Sequence, residues 1–311
     1  MTVTSDASKK GWGAECNGET TGGMWTLEGS RLHINLLELI AALFALKPFC
    51  KDIYHSSILI RSDNSTTVAH INHMGSVKAE AREIIREFWL WCLFNANFVI
   101  ATFLPGALND QADFKSRVYR HQIEWQLNCD VFDKQMSKFG PCDIDLFASR
   151  VNNQLHCYVS WGPDPYAWAI DSFTVDWSKS TGYMFPPFGL ILRVLQKIEH
   201  DEAECVLVVP LWTTQAWFPK LLILLIDHPV LLPPSPGLVT HPLSGEEHPK
   251  KMKLIACRLS GVPSQAWEFQ KTLQTLSCSP GGGGQGAHIN TIFKDGFNFV
   301  LNRKGIRLNP L

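Results

Sequence analysis

The sequence predicts an α/β protein with two consecutive sheet domains. The chain has 311 residues, which is long enough for two hydrophobic cores. Short apolar runs alternate with longer helical patterns over residues 1–122, and a similar alternation resumes at residue 128. Strands and helices that alternate at this spacing indicate sheets covered by helices. We therefore expect one α/β domain over 1–122, a second over 128–245, and a basic, glycine-rich linker or tail over 246–311.

The first domain is expected to open with a strand that carries Asp6 and to continue through alternating helices and strands. The run "INLLELIAALFALKPF" predicts a strongly apolar helix that Pro48 ends, with Asn35 as a candidate cap. The stretch "STTVAHINHMG" predicts a short helix closed by Gly75. The other expected elements are strands at 22–30, 56–64 and 98–106, a long amphipathic helix at 78–97 and a final helix at 109–117.

The second domain repeats the alternation with shorter strands. Its expected elements are strands at 143–149, 182–188 and 205–212, and a helix at 189–202. Beyond residue 245 the stretch "SCSPGGGGQGAHIN" has the composition of a flexible tract. Residues 246–311 carry nine Lys and Arg against four Asp and Glu. This composition is the reason for interpreting the last segment as a linker or tail.

The composition excludes several classes of protein. The net charge of −1 argues against a broad basic surface, so contact with nucleic acid would be local. The longest apolar run, residues 221–234, is broken by Asp227, His228 and prolines, so we expect no membrane segment. Nine cysteines without a C-x-x-C pair indicate a reducing compartment. We expect an intracellular protein of cytoplasm, nucleus or both, although no targeting signal is readable.

Four carboxylates lie where the predicted elements could bring them together: Asp6, Glu38, Asp63 and Asp113. Glu38 is the most informative, because its predicted helix is otherwise almost wholly apolar and a buried carboxylate needs a partner. Divalent cations with oxygen ligands provide such a partner, and Mg²⁺ is bound by a few carboxylates and several waters. Single carboxylates at the ends of elements are also common as surface residues or helix caps, so the pattern alone leaves both interpretations open.

Four motifs resemble one known family in order and spacing. They are "TSDASKKGWGAEC", "HINLLELIAALFAL", "IRSDNSTTVAHIN" and "LPGALNDQADFKSR", within residues 2–120. They resemble the ribonuclease H domain of retroelement polyproteins, in particular of DIRS-like retrotransposons that carry a tyrosine recombinase. The resemblance implies the ribonuclease H-like fold, a mixed five-stranded sheet with helices. It also implies a magnesium-dependent endonuclease that hydrolyses the RNA strand of an RNA–DNA hybrid.

The resemblance also implies the roles of individual residues. Asp6, Glu38, Asp63 and Asp113 match the catalytic carboxylates that hold two Mg²⁺ ions, for which Mn²⁺ can substitute, and Asp113 fits the motif better than Asp110. Asp6 would bridge both ions, with Glu38 and Asp63 at one and Asp113 at the other, and Glu38 could contact the 2′-hydroxyl. Three residues after Asp63 are candidates for binding substrate phosphate: Asn64, Ser65 and Thr66. Alternatively, Asn64 or Ser65 only caps the following helix.

Two details concern histidines. The family often carries a histidine before the "PG" of the last motif, where this sequence has Phe103, so a histidine that helps product release is not expected. His70 and His73 are expected to face solvent on their helix rather than to bind metal.

Residues 128–235 resemble the Dam-like adenine methyltransferase module that follows ribonuclease H in DIRS-like elements, which implies a Rossmann-like fold. The loop that would receive a flipped adenine is here Phe185, Pro186, Pro187 and Phe188. Phe188 could stack on a base, but Phe185 offers no hydrogen-bond acceptor for the adenine amine. Asp145 matches a position near the S-adenosylmethionine pocket, and a structural role is equally open. We expect a degenerate domain that keeps the fold and either binds nucleic acid or only packs, and we do not expect S-adenosylmethionine as its cofactor. Five tryptophans are expected in the core: Trp161, Trp168, Trp177, Trp212 and Trp217.

The leading hypothesis is therefore a retroelement ribonuclease H fused to an inactive methyltransferase-like domain. Its partners would be an RNA–DNA hybrid and the reverse transcriptase and tyrosine recombinase domains of a parent polyprotein, without a membrane. We interpret the chain as a fragment or host-borne remnant of such a protein. Two alternatives stay open: a non-catalytic nucleic-acid-binding or scaffold remnant, and an active DNA adenine methyltransferase.

Overall fold

The computed structural model of the chain describes residues 1–117, 125–248, 252–275 and 298–311. The chain divides into two compact units. Unit 1 contains residues 1–122 and 160–170, and unit 2 contains residues 123–159 and 171–311. The segment 160–170 thus belongs to unit 1, although the sequence placed it in the second domain.

Unit 1 is built on a mixed five-stranded sheet, which confirms the predicted sheet. Its strands are β1 (Thr2–Ala7), β2 (Gly11–Cys16), β3 (Glu19–Met24), β4 (Ser57–Ser62) and β5 (Phe98–Phe103). The strand order is β3-β2-β1-β4-β5. Strands β1, β2 and β3 pair antiparallel, whereas β4 lies parallel to both β1 and β5.

The first three strands differ from the expected pattern, because a single second strand at 22–30 was predicted. A tight turn at Asn17 and Gly18, both with positive φ, instead joins β2 to β3. Strands β2 and β3 each contain two glycines. Because glycine weakens the propensity to form a strand, the sequence pattern did not show both strands.

Four helices cover this sheet: α1 (Ile34–Phe49), α2 (Ser65–Asn72), α3 (Ala79–Phe94) and α4 (Asp110–Arg117). The limits of α1 agree with the sequence prediction, but Pro48 lies in its last turn instead of ending it. The cap of α1 is His33, whose Nδ1 accepts the N–H of Asn35 at 3.2 Å. Asn35, the predicted cap, instead accepts a hydrogen bond from Asn64 at 3.0 Å.

The outer edge of the sheet is partly closed by a side chain. Asn72, at the end of α2, donates to the carbonyl of Ala101 in β5 at 2.9 Å. Its carboxamide oxygen accepts the N–H of the same residue, also at 2.9 Å. The amide group therefore takes the place of a neighbouring strand at this position, which limits edge pairing with another chain.

The 160–170 segment, which we call the arm, packs on the rest of unit 1. Tyr166 meets Phe44 of α1 edge to face, with ring centroids 5.5 Å apart, and the Nζ of Lys47 lies 4.2 Å from the centre of the Tyr166 ring. Lys51 donates to the carbonyl of Ala167 at 3.1 Å. Phe44 in turn contacts Trp12, so the arm packs on a residue that belongs to the core of unit 1.

Unit 2 contains a mixed six-stranded sheet of order β17-β12-β14-β11-β10-β7. The other strands within the described residues are β6 (Gln126–Leu127), β7 (Ile144–Asp145), β8 (Val159–Ser160), β9 (Ala169–Ile170), β10 (Gly182–Met184), β11 (Glu204–Pro210), β12 (Val230–Leu231), β13 (Val239–Thr240), β14 (Leu254–Ser260), β15 (Phe299–Leu301), β16 (Lys304–Ile306) and β17 (Asn309–Pro310). The remaining helices are α5 (Cys129–Phe139), α6 (Ile191–His200), α7 (Phe218–Ile223) and α8 (Pro263–Thr272). Strands β7, β10 and β11 are parallel, and β14 is antiparallel to β11.

The predicted linker or tail over 246–311 is wrong for part of its length. Strand β14 pairs with β11 over seven residues inside the sheet and is mostly buried, and β17 closes one edge. The mostly apolar sequence of β14 allows both faces of this strand to be buried. The sequence analysis did not identify the strand because a glycine tract and several basic residues lie near it. The glycine tract itself, residues 277–290, lies outside the described residues. Among the helices that the structure describes, none is long and apolar enough to cross a membrane.

Candidate metal centre

Three carboxylates converge in unit 1. Asp6, Glu38 and Asp63 each place one oxygen within 4.8 Å of the others. Asp6 lies in β1 and Asp63 follows β4, and the parallel register that pairs Thr4 with Arg61 brings the two aspartates level with each other. Glu38 reaches them from α1, which packs against β1. The structure thus brings together three of the four carboxylates named from the sequence.

These three carboxylates have little compensation from the protein. Asp6 and Glu38 are only 4% and 5% exposed, and Asp63 is half-buried. Among the residues that the structure describes, no Lys, Arg or His forms an ion pair with any of them. Oδ2 of Asp6 and Oε2 of Glu38 are buried without a hydrogen-bond partner. A hard divalent cation requires carboxylate oxygens that lie close together and are not neutralised by basic side chains, so the residues present fit Mg²⁺ or Mn²⁺.

Burial and mutual repulsion raise the pKa values of the cluster. Burial, with smaller contributions from the charges of Asp6 and Asp63, raises the pKa of Glu38 to about 9. Burial also raises the pKa of Asp6 to about 6, and the nearby Ser116 hydroxyl opposes the shift. The pKa of Asp63 is raised by burial and by the charge of Asp113. Without a cation, the cluster therefore retains protons that ordinary carboxylic acids lose below neutral pH.

Asp113, the fourth expected ligand, lies at the rim of the cluster. Its charge raises the pKa of Asp6, Glu38 and Asp63, but none of its oxygens belongs to the group within 4.8 Å. Its Oδ1 accepts two hydrogen bonds from Arg117, from Nε at 2.7 Å and from Nη2 at 2.5 Å. The structure therefore places Asp113 beside the three carboxylates but pairs it with Arg117, and its role as the fourth ligand stays a prediction.

Helix α4 comes close to the sheet because glycine lies beneath it. A Cβ at Gly13 would stand 2.1 Å from the carbonyl oxygen of Ala112 and 2.5 Å from the backbone nitrogen of Ser116. A Cβ at Gly22 would lie 3.0 Å from the carbonyl oxygen of Lys115. Only glycine therefore permits α4 to approach β2 and β3 at this distance, and this approach places Asp113 beside Asp6.

Two side chains near Asp6 were not identified from the sequence. Asn109 donates from Nδ2 to Oδ1 of Asp6 at 3.2 Å, and it is only 2% exposed. Ser116, whose hydroxyl donates to the backbone carbonyl of Asp113 at 2.9 Å, also lies near Asp6. Both residues belong to the motif "LPGALNDQADFKSR", but only the folded chain shows that they lie beside Asp6.

The candidate phosphate-binding residues lie at the start of α2. Asn64 caps this helix, because its Oδ1 accepts the N–H of Thr67 at 2.9 Å while its Nδ2 donates to Asn35. The capping alternative is thus what the structure shows for Asn64. Ser65 is exposed and Thr66 is half-buried in the first helical turn.

The two histidines of this region differ from each other. His73 is exposed, whereas His70 is half-buried and its Nδ1 lies 3.3 Å from the carbonyl oxygen of Gly75. Among the described residues, neither belongs to a group that could hold a metal ion.

The candidate methyltransferase residues lie in unit 2. Asp145 of β7 is fully buried and accepts the N–H groups of Phe147 at 3.3 Å and Gln154 at 3.0 Å. Burial raises its pKa to about 7. These contacts favour the structural role for Asp145.

The loop of Phe185, Pro186, Pro187 and Phe188 follows β10. Phe188 packs edge to face on Trp212, with ring centroids 5.4 Å apart, and lines a cavity of about 250 Å³. Phe185 lies beside Phe188, with ring centroids 6.3 Å apart, and offers only hydrocarbon.

The tryptophan prediction holds only in part. Trp177 and Trp217 are buried and Trp212 is half-buried, as expected for core residues. Trp161 and Trp168 are more than half exposed, so the core prediction is wrong for these two. Both lie on the arm.

No family model matches the chain, and no curated protein matches it. Among solved structures, it is similar to RNase H1 from the halophilic archaeon Halobacterium salinarum NRC-1, at 16% identity and a TM-score of 0.30. It is also similar to LC11-RNase H1 in complex with an RNA/DNA hybrid, at 16% identity and a TM-score of 0.31. A third is the N-terminal RNase H domain of rv2228c from Mycobacterium tuberculosis, fused to maltose-binding protein, at 14% identity and a TM-score of 0.30. Each match covers 37% of this chain, and 90%, 91% and 89% of the three chains respectively.

Proposed function

We propose that unit 1 is a divalent-metal-dependent ribonuclease H that hydrolyses the RNA strand of RNA–DNA hybrids. The observation that carries this proposal is the convergence of Asp6, Glu38 and Asp63, with buried oxygens that the protein leaves unpartnered. Isolated buried carboxylates are costly, so a cluster without a basic partner is consistent with a resident cation. The four sequence motifs that resemble retroelement ribonucleases H supply the reaction class.

The protein's part in the reaction is to hold the cation and to orient the substrate. Asp6, Glu38 and Asp63 would hold Mg²⁺ or Mn²⁺, and Asp113 would join them when its carboxylate leaves Arg117. A divalent ion in such a site supplies an activated water and stabilises the charge that develops at the scissile phosphate. The products would carry a 3′-hydroxyl and a 5′-phosphate. Glu38 would contact the 2′-hydroxyl, the group that distinguishes RNA from DNA.

Substrate binding would involve the start of α2. The backbone N–H groups and hydroxyls of Ser65 and Thr66 lie just after Asp63, where a helix N-terminus favours a phosphate. Asn64 would act indirectly there by capping the helix.

The wider assignment rests on the motif resemblance. Unit 2 would be a Rossmann-like, methyltransferase-type domain that has lost methyl transfer, because Phe185 cannot accept a hydrogen bond from an adenine amine. We expect no S-adenosylmethionine there. The chain would act beside the reverse transcriptase and tyrosine recombinase domains of a DIRS-like polyprotein, in the cytoplasm or nucleus and without a membrane.

A second candidate is a non-catalytic nucleic-acid-binding remnant. The specific observation in its favour is the ion pair between Arg117 and Asp113, because it occupies the fourth carboxylate.

The deciding experiment measures cleavage of a labelled RNA–DNA hybrid by the full chain with Mg²⁺, Mn²⁺ or a chelator. We expect metal-dependent cleavage of the RNA strand only. Asp63→Asn should slow it by about 100-fold or more, the scale on which loss of an electrostatic stabiliser slows an enzyme. Asp110→Asn is the matched control, because Asp110 is an acidic residue of α4 outside the cluster. Hybrid binding without cleavage, or equal rates for wild type and Asp63→Asn, would support the second candidate.

A further inference from the structure

Asn109 lies at the junction of a short turn and α4. It follows the 3₁₀ turn Gly106–Leu108, and its carbonyl oxygen accepts the N–H of Asp113 at 3.0 Å. It therefore occupies the residue before α4 where an asparagine side chain commonly accepts a backbone N–H from the first helical turn. Such a cap stabilises a helix by about 1 kcal/mol.

The side chain of Asn109 does not form this cap. Its Oδ1 is buried and has no hydrogen-bond partner. Its Nδ2 points to β1 and donates to Oδ1 of Asp6 at 3.2 Å and to the carbonyl of Ser5 at 3.4 Å. A lost cap and a buried, unpaired carbonyl both cost free energy, so helix stability does not explain this orientation.

The contact does explain how Asp6 presents its carboxylate. Oδ1 of Asp6 is engaged by Asn109, whereas Oδ2 has no partner and is left for another ligand. The donation to Ser5 fixes the same amide group to the strand that carries Asp6. Hydrogen bonds of this kind orient metal-binding side chains and commonly change metal affinity by about 10–100-fold when they are removed.

We propose that Asn109 is a positioning residue that orients Asp6 for divalent cation binding. This inference rests on the proposed function, because it assumes that Asp6 holds a cation. Asn109 would touch neither the substrate nor the reacting atoms, and its effect would reach the reaction through Asp6 alone.

Calorimetric titration of the full chain with Mn²⁺ tests the inference without requiring activity. Asn109→Ala should weaken binding by about tenfold or more. In hybrid cleavage, the Mg²⁺ concentration that gives half-maximal rate should rise by a similar factor, while the rate at saturating Mg²⁺ falls much less. A purely structural role would lower the amount of folded protein without moving this concentration.

Two further variants separate orientation from folding. Asn109→Ser keeps a side chain that can cap α4 but is too short to hold Asp6, so it should bind Mn²⁺ as weakly as Asn109→Ala. Asn97→Ala is the matched control. Asn97 is also a buried asparagine of unit 1, but its bonds go to the backbone of Ile53 at 2.8 Å and of Ser56 at 3.0 Å. It should lose stability and keep its Mn²⁺ affinity.

The outcomes distinguish this inference from the proposed function. If the wild type binds no Mn²⁺, both fail. If the wild type binds Mn²⁺ and cleaves the hybrid, but both Asn109 variants bind as tightly as Asn97→Ala, only the role of Asn109 is overturned.

Discussion

Arg117 and Asp113 lie one helical turn apart on α4, and both hydrogen bonds of their ion pair end on a single carboxylate oxygen. The side chain of Arg117 is 66% exposed, so solvent screens much of the attraction. Exposed ion pairs of this kind contribute between about 0 and 1 kcal/mol. A divalent cation could therefore displace the guanidinium from Asp113 at modest cost.

This weakness predicts the effect of removing the arginine. Arg117→Gln frees Asp113 and removes a positive charge near the cluster, so a cation that uses Asp113 should bind about two- to fivefold more tightly, since 1 kcal/mol corresponds to about fivefold. Calorimetric titration with Mn²⁺ measures both the affinity and the number of ions bound. The control is Arg86→Gln, which breaks a pair with Glu83 on α3 in which the arginine is about as exposed as Arg117. Equal affinities in the two variants would mean that Asp113 takes no part in cation binding.

The pKa of Glu38 makes the stability of unit 1 depend on pH. Its pKa rises from 4.5 to about 9 on folding, and that of Asp6 rises from 3.8 to about 6. The folded state therefore binds more protons than the unfolded state between these values. Since stability falls with rising pH wherever folding takes up protons, unit 1 should lose stability from about pH 4.5 to pH 9 in the presence of a chelator.

Glu38→Gln should flatten this loss, because the amide stays neutral at every pH. We expect the variant to exceed the wild type in stability at pH 9 by an amount on the order of a few kcal/mol, and to match it near pH 4.5. Amide hydrogen exchange of peptides within residues 1–117 measures the stability of unit 1 separately from unit 2. A smaller slope should remain in the variant up to about pH 6, because the pKa of Asp6 is raised as well, and saturating Mn²⁺ should reduce the slope of the wild type more strongly. If Glu38→Gln showed the same dependence of stability on pH as the wild type, groups other than Glu38 would be responsible for it.

The parts of unit 1 that depend on local pattern could be predicted from the sequence. Helix α1 is an uninterrupted apolar run, and its limits agree with the structure. Glu38 was identifiable because one carboxylate interrupts that run. The approach of Asp63 to Asp6 follows from the parallel pairing of β1 with β4, and the resemblance had implied that both residues belong to one site.

The parts that depend on distant contacts could not be predicted. Asn109 looked like an ordinary helix start, and only the fold shows that its amide faces Asp6. Strands β2 and β3 were not recognised in the sequence because they contain glycines. The structure shows that Gly13 and Gly22 are needed for the close approach of α4. The assignment of the arm to unit 1 could not be predicted from local sequence, because its contact with Phe44 joins residues more than a hundred positions apart.

The glycine contact leads to a prediction about the whole site. Gly13→Ala would place a Cβ against the backbone of α4 at Ala112 and Ser116, where no side-chain movement can relieve the overlap. Helix α4 must shift, which should lower stability by about 1–3 kcal/mol and weaken Mn²⁺ binding through the loss of the Asn109 contact. Gly75→Ala is the control, because the nearest atom to its added Cβ is 3.8 Å away. Unchanged Mn²⁺ affinity in Gly13→Ala would show that the cluster does not depend on the position of α4.

The arm leads to the last prediction, which concerns where unit 1 ends. Tyr166 packs on Phe44 and lies under the ammonium group of Lys47, which also pairs with Glu87 of α3 at 2.8 Å. An aromatic pair contributes about 0.5–1.5 kcal/mol and an exposed cation–π contact about 0.5–1 kcal/mol. Tyr166→Ala in the full chain should therefore destabilise unit 1 by about 1–2 kcal/mol.

Hydrogen exchange of peptides from α1 measures this effect, because α1 carries both Phe44 and Lys47. Trp161→Ala is the matched control, since Trp161 is an exposed aromatic residue of the same arm. If exchange in α1 became faster in Tyr166→Ala but not in Trp161→Ala, residues 160–170 would contribute to the stability of the unit that holds the carboxylates. A truncation at residue 122 would then remove a contact that stabilises that unit. Identical exchange in both variants would mean that the contact with Phe44 adds no stability, and a boundary at residue 122 would suffice.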